Sequence, residues 1–480
     1  RVCFRKIRNN KINAKHRINF QILCFFYDLT KLHKYVKINV KEVHKMKRKM
    51  SKQLLDWKNS NDNMPLIIYG ARQVGKTYTI LSFGKENYKN VAYINFEDNS
   101  DMAKIFEQNL DVERIIKQLS VKLGISIFEE DTLIFFDEIQ SCERALTSLK
   151  YFAESKYKYH IIAAGSLLGI AVNRKQYSFP VGKVKMLTLY PLDFEEFLWA
   201  LNQEKLSNMI REAFNEDKEF LLHSLASEYY RLYLAIGGMP RAVLEYIDKK
   251  DMDFVTSTLK DINNSYIADM AKYATPTETT KIMAVYNTIS AQLAKENKKF
   301  QYKLIKSGAR AYEYETAINW LNASGIINQC TKVKEGKLPL SAFIEQDSFK
   351  IYMGDVGLLC NKFGIPANIV IYENDNMNDF KGALAENYVC NGLIQCGLKP
   401  YYWESNGLAE VDFVVQDKQG NIIPIEVKSE SHTRAKSLNV FRNLYKVPYS
   451  VRISTKNFGY ENNIKCIPLY SAFCLDNLQK

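Results

Sequence analysis

The chain has 480 residues, 46% of them hydrophobic and 25% charged, which suits roughly two to four soluble domains with buried cores and excludes a disordered or fibrous chain. The net charge of +13 sits at one end: residues 1–49 hold 15 of the 66 Lys+Arg and two of the 53 Asp+Glu, leaving 51 bases against 51 acids elsewhere. The basic balance is therefore no sign that the body binds nucleic acid.

The nine cysteines are scattered, with no CxxC and no Cys/His spacing suited to zinc. That pattern excludes a disulfide framework and fits a reducing, cytoplasmic setting. Residues 1–49 show no sustained period and are expected to be an extension or upstream sequence, with the functional start near Met46 or Met50; a basic arm for nucleic acid is the alternative. The patch "INFQILCFFY" is too short to span a bilayer, and "DLTKLHK" after it is no signal-peptide cleavage site, so no membrane partner is expected.

From residue 64 strands and helices alternate. "PLIIYG", "NVAYINFED", "DTLIFFDEIQ" and "YHIIAAGS" read as four strands. Helical stretches between them imply a parallel sheet covered on both faces, over residues 50–200. Residues 201–275 lack strand signals and read as a helical lid interrupted by "GGMP". Residues 276–345 run helix, turn and apolar β-like pair, the profile of a winged helix. There Lys303, Lys306, Arg310 and Lys332 would contact phosphates, although Glu313 and Glu315 lie on the same element, and a spacer role is the alternative. Residues 346–480 read as a further α/β domain.

"GARQVGKT" fits GxxxxGK[ST]. It follows a strand and precedes a helix-compatible run, as a phosphate-binding loop requires. Gly70 and Gly75 let the backbone curl, so that the amides of Gly70, Ala71, Arg72, Gln73, Val74, Gly75 and Lys76 point at phosphate oxygens. Lys76 reaches the β- and γ-phosphates and the Thr77 hydroxyl ligates Mg²⁺. In "LIFFDE", Asp137 emerges from a buried strand to hold that Mg²⁺, and Glu138 can orient and deprotonate water. Ser166 is placed to meet the γ-phosphate or the water, with a capping role as the alternative. Arg174, Lys183 and Arg241 are candidates for a trans-acting cation, each weighed against a solvated surface charge.

"EVDFVVQDKQGNIIPIEVKSES" reads as a hairpin. Glu426 and Lys428 share a face, and Asp412 lies across the turn. Asp412 and Glu426 supply hard oxygens for Mg²⁺, and Lys428 can position water, as phosphodiester cleavage needs. The alternative is an edge hairpin whose charges deter aggregation, for which Pro424 speaks.

"LIIYGARQVGKT", "LIFFDEIQ", "IIAAGSLLG", "SFPVGKV", "LYPLDFEEFL" and "YLAIGGMPRAV" stand in the order found in prokaryotic AAA-type ATPases with a C-terminal domain of unknown function. "SYIADMAKY", "FKIYMGDVGLL", "GALAENYV" and "EVDF…IEVKS" are similar to signatures of that domain, which resembles a PD-(D/E)xK restriction-endonuclease-like fold. The likeness covers about residues 46–475. It implies an ATP-hydrolysing P-loop core with a nuclease-like module, and it assigns Glu386 as an extra helix carboxylate of the second site. It also implies ATP and Mg²⁺ as cofactors, and DNA or RNA and a second copy of the chain as partners. One departure is Gly182-Lys183 where relatives often carry Gly-Arg; Lys lacks the planar fork of Arg. Two functions follow. One is an ATPase coupled to a metal-dependent phosphodiesterase, and the other is a nucleotide-dependent binding switch that does not cut.

Overall fold

In the computed structural model, which describes residues 46–60, 62, 64–166, 179–372, 378–405, 407, 409–429 and 436–478, the apolar strands of the N-terminal half align in parallel. They are β1 (Leu66–Tyr69), β2 (Asn90–Asn95), β3 (Thr132–Asp137), β4 (His160–Ala164) and β5 (Lys185–Thr188), in the order β2-β3-β4-β1-β5. Strand alternation fills both sides. Leu133 and Phe135 of β3 join one core with Ile80 and Phe83, while Ile134 and Phe136 join another with Ile115, Leu119 and Leu149. Each such fully buried side chain contributes ~1.5–3 kcal/mol. The covering helices are α1 (Met50–Lys58), α2 (Lys76–Asn87), α3 (Val112–Leu123) and α4 (Glu143–Glu154). The loops after β1, β3 and β4 leave the sheet at one edge, where α/β proteins place their ligands.

Helices follow: α5 (Phe194–Ala200), α6 (Glu204–Glu216), α7 (His223–Ile236), α8 (Pro240–Lys249), α9 (Met252–Tyr273), α10 (Pro276–Leu293) and α11 (Ala311–Ala323). Local chemistry sets their starts. Asp193 and Glu196 form a reciprocal capping box at α5, Thr275 and Glu278 do so at α10, and Pro240 opens α8.

The C-terminal half holds β6 (Ile327–Val333), β7 (Ile344–Met353), α12 (Val356–Phe363), α13 (Asn378–Gln395), β8 (Tyr401–Ser405), β9 (Ala409–Gln416), β10 (Ile422–Val427), α14 (Lys436–Tyr445), β11 (Ser450–Ser454), β12 (Gly459–Glu461) and β13 (Ile464–Pro468). Its sheet has eight strands, in the order β12-β13-β11-β10-β9-β8-β6-β7. β8, β9 and β10 pair antiparallel in turn, and β10 pairs parallel with β11.

Three expectations are corrected. The β pair of the 276–345 segment is β6–β7, antiparallel, but β6 also pairs with β8. The hairpin is therefore the end of a large sheet rather than a free wing, and the boundary at 345/346 falls inside β7. Lys332 there is paired with Glu345 and Glu404 at 3.5 and 3.8 Å. Next, β9 and β10 are inner strands, which removes the edge-hairpin alternative. Pro424 is accommodated because the β11 ladder begins only at Ile425. Finally, residues 46–49 belong to the body: Met46 and Arg48 are both buried.

The two halves meet at a junction that only glycine allows. Asp355 accepts hydrogen bonds from Gly238 N at 2.7 Å and Leu358 N at 2.9 Å. A Cβ on Gly357 would lie 2.4 Å from Ile236 O. The "GGMP" and "MGDVG" stretches are thus two sides of one contact. Residues 46–480 form one compact unit, with a core running from Met46 to Leu478. No helix among the described residues is long and apolar enough to cross a membrane, and the seven described cysteines are free thiols.

Candidate functional site

The loop between β1 and α2 is shaped by its glycines. Gly70 has φ 145°, and a Cβ there would lie 2.1 Å from Leu189 O, so no other residue fits beside the chain leaving β5. Gly75, at φ 91°, caps the start of α2. Lys76 is buried, and its ammonium donates to Gly70 O at 2.7 Å and Ala71 O at 2.9 Å. Burial lowers the Lys76 ammonium to about 8, and the nearby carboxylates of Glu138 and Asp137 oppose that shift.

The structure brings Asp137 to the same point. Thr77 Oγ1 donates to Asp137 Oδ2 at 2.7 Å, and the Tyr93 hydroxyl donates to the same oxygen at 3.1 Å. A hydroxyl and a carboxylate oxygen in contact are hard donors suited to Mg²⁺. Glu138 follows in the left-handed region, at φ 48° and ψ 44°, a conformation that costs a non-glycine residue energy and recurs at functional sites. Gln140 Nε2 donates to its Oε2 at 2.5 Å. Burial raises the Glu138 carboxyl above its ordinary value, in the direction a general base needs. Ser166 lies two residues beyond β4 on the same sheet edge.

Two supports of this loop were not legible in the sequence. Arg48 donates to Val74 O at 2.9 Å, Tyr190 O at 2.6 Å and Glu196 Oε1 at 3.1 Å, which explains the acidic "LYPLDFEEFL" stretch. Helix α9 grips the other side: Asp269 pairs with Arg72, Gln73 Nε2 donates to Ser265 Oγ at 2.7 Å, and the Tyr266 hydroxyl donates to Arg72 O at 3.1 Å. Of the cation candidates, Lys183 is paired with Glu154 at 3.1 Å and Arg241 lies 3.7 Å from Asp261. Arg174 lies outside the described residues.

The residues predicted for the second site each have close neighbours. Asp412 Oδ2 accepts from Val427 N at 2.8 Å, which sets it against the end of β10. Lys428 Nζ stands 3.4 Å from Glu426 Oε1, and Arg452 Nε stands 3.8 Å from Oε2. Glu386 on α13 pairs with Lys298 and accepts from the Tyr352 hydroxyl at 3.2 Å. Buried Lys350 donates to Glu410 at 2.5 Å. Burial, then the nearby Glu386 charge, raises Asp412 to about 7, while Lys350 and Lys428 oppose it. Burial alone would raise Glu386 too, but Lys298 and Lys350 outweigh it and hold that carboxyl below its ordinary value. Lys298, Lys350, Tyr352 and Arg452 were missed because each, read locally, is an ordinary side chain far from the hairpin.

Metal fit differs between the two places. Glu426 Oε2 is buried without a hydrogen bond, and Asp412, Glu426 and Glu386 are a hard-oxygen donor set. Among the described residues, however, no three acidic, His or Cys side chains are gathered as a cage.

Residues 62–198 match the family model of an AAA domain. Residues 227–368 and 381–472 match two models, each described as a domain of unknown function (DUF8612 and DUF4143). Among solved structures, the chain is similar to the Walker-type ATPase PABY2304 of Pyrococcus abyssi, at 14% identity and a TM-score of 0.42, over 66% of this chain and 96% of that one. It is similar to the Aeropyrum pernix ORC2 protein in its ADPNP-ADP complexes, at 15% identity and 0.34, over 68% and 90%. A third is the Thermotoga maritima RuvB Holliday junction branch migration motor, at 14% and 0.29, over 62% and 91%. None of the curated proteins searched matches the chain. Residues 62–198 are thus an AAA-type P-loop domain.

Proposed function

We propose that this protein hydrolyses ATP and that its nucleotide state is coupled to a C-terminal restriction-endonuclease-like module acting as a Mg²⁺-dependent phosphodiesterase on DNA or RNA. The observation that carries the first half is the meeting of Lys76, Thr77, Asp137 and Glu138 at one sheet edge. Lys76 would leave the loop carbonyls for the β- and γ-phosphates, and Thr77 and Asp137 would hold Mg²⁺. Glu138 takes the proton of the attacking water. In the P-loop site, Mg²⁺ neutralises the phosphate charge.

The second half is supported by the positions of Asp412 and Glu426 on inner strands, with Lys428 directly after β10 and Glu386 on α13 near enough to act on the Asp412 charge. There Asp412 and Glu426 would hold the ion, and Lys428 would position water. Coupling has a route through α9, which grips the P-loop by Ser265, Tyr266 and Asp269 and leads directly into α10.

A second reading, a nucleotide-dependent binding switch that does not cut, is favoured by one observation: every carboxylate of the cluster already has an internal partner. Purified protein incubated with DNA and RNA, with and without Mg²⁺ and ATP, separates them. Cleavage that is absent from an Asp412→Ala variant supports the phosphodiesterase. Nucleic-acid retention that changes between ATP and Lys76→Ala, with no cleavage, supports the switch.

A further inference from the structure

We infer that Arg72, within the phosphate-binding loop, is the residue that tells a nucleoside triphosphate from a diphosphate. Its guanidinium leaves Asp269 on α9 for the γ-phosphate, so that Asp269 and that phosphate compete for one cation. The inference rests on the ATP-site reading given above and names what reads the terminal phosphate there.

Arg72 is the third residue of "GARQVGKT". The Lys76 ammonium, the group that would meet the β- and γ-phosphates, donates to the carbonyls of Gly70 and Ala71 at 2.7 and 2.9 Å. Arg72 follows Ala71 directly, so its side chain leaves the loop beside the place where Lys76 would collect phosphate. From there it runs to Asp269, where Nη1 alone is engaged. Among the described residues the guanidinium has no other hydrogen bond or ion pair. The rest of its planar fork is open, and two-point contact with a phosphate is what that fork provides. The Arg72 side chain is 38% exposed and that of Asp269 12%. The cation is therefore the partner with room to swing, and the carboxylate is the fixed one.

Helix α9 is built to register the exchange. Ser265, Tyr266, Asp269 and Lys272 follow one another along one face of it. Ser265 accepts from Gln73, the Tyr266 hydroxyl donates to Arg72 O, and Lys272 pairs with Glu97. These contacts hold the loop's backbone and the helix in place while the guanidinium changes partner. A buried carboxylate without its cation is costly, so a bound triphosphate strains this end of α9. A diphosphate offers no γ-oxygens, and the pair with Asp269 forms again. The other cations do not fit this part. Lys76 serves the β-phosphate of either nucleotide, and Lys183 and Arg241 lie outside the loop, each beside a carboxylate of its own.

Isothermal titration of the full chain in Mg²⁺, with ADP and with the non-hydrolysable imido analogue of ATP, reads this discrimination without turnover. Wild type is compared with Asp269→Asn, Arg72→Gln and the double variant, in which no buried charge is left unpaired; melting temperatures check folding. In Asp269→Asn, which frees the guanidinium, the preference for the analogue over ADP should rise at least about tenfold over wild type, and the double variant should lose that gain. A preference that Asp269→Asn leaves unchanged, or a gain that the double variant keeps, overturns the role of Arg72 and leaves the nucleotide site standing. Absence of nucleotide binding from wild type and every variant overturns both.

Discussion

At the residue scale, Glu138 and Arg48 divide chemistry from support. Glu138 sits half-buried, in a conformation that costs a non-glycine residue energy, next to the Asp137 that contacts Thr77. Its replacement by Gln keeps the shape and removes the base. Glu138→Gln should bind ATP with near wild-type affinity and turn it over about 100-fold or more slowly. Equal turnover in a phosphate-release assay would remove Glu138 from the mechanism. Arg48 acts on the same loop from behind. Arg48→Met strips Glu196 of its buried partner and Val74 O of its donor. A loss of about 3–5 kcal/mol in a denaturant titration is expected, with weaker ATP binding. Glu138 was legible in the sequence because a buried strand ending in Asp-Glu has local meaning. Arg48 was not, since a single arginine among fifteen Lys+Arg in residues 1–49 looks like part of a basic run. Only the fold reveals its partners 26 and 148 positions away.

At the element scale, the loops that join the halves matter more than the helices they end. The alternating strands of the first sheet could be read from their apolar runs, because each strand buries both faces. The β6–β7 pair misled: a helix followed by two strands is a wing only if the strands stop there, and pairing to β8 is a tertiary fact. Asp355 was also invisible, although "MGDVG" and "GGMP" each stood out as motifs. Burial pushes its carboxyl up to about 6, while the backbone N–H groups of Gly238, Leu358 and Gly357 oppose that rise. A carboxyl raised on folding binds more protons in the native state, so stability falls as pH rises from about 4 to about 6 and is level above. The linked loss is about 3 kcal/mol. Asp355→Asn should be less stable throughout and lack that slope, when guanidinium midpoints are compared between about pH 3 and about pH 7, values chosen to bracket the window. Gly357→Ala tests the same junction by size. Its Cβ would lie 2.4 Å from Ile236 O and 2.5 Å from Gly237 N, and overpacking of this kind costs about 1–3 kcal/mol.

At the scale of the whole molecule, one unit spans residues 46–480 and one core threads both sheets. The P-loop touches not only α9 but also the turn before β6, where a Cβ on Gly325 would lie 3.3 Å from Ala71 N. Gly354, following β7, donates to Ile326 O at 2.8 Å, and Met353 N donates to Asn387 Oδ1 at 2.7 Å beside Glu386. A body joined this way should unfold in one step, and ATP should stabilise all of it. At an ATP concentration 100 times Kd the gain is about 2.7 kcal/mol. Hydrogen exchange should report it equally at the amides of β1 and at those of β9 and β10, and Lys76→Ala should abolish it at both. If β9 and β10 exchanged at the same rate with and without ATP while β1 slowed, the halves would be energetically separate. Nucleotide could then reach the carboxylate cluster through local movement, either of α10 and the turn from which Lys298 pairs with Glu386 or of the Gly325–Gly354 contact.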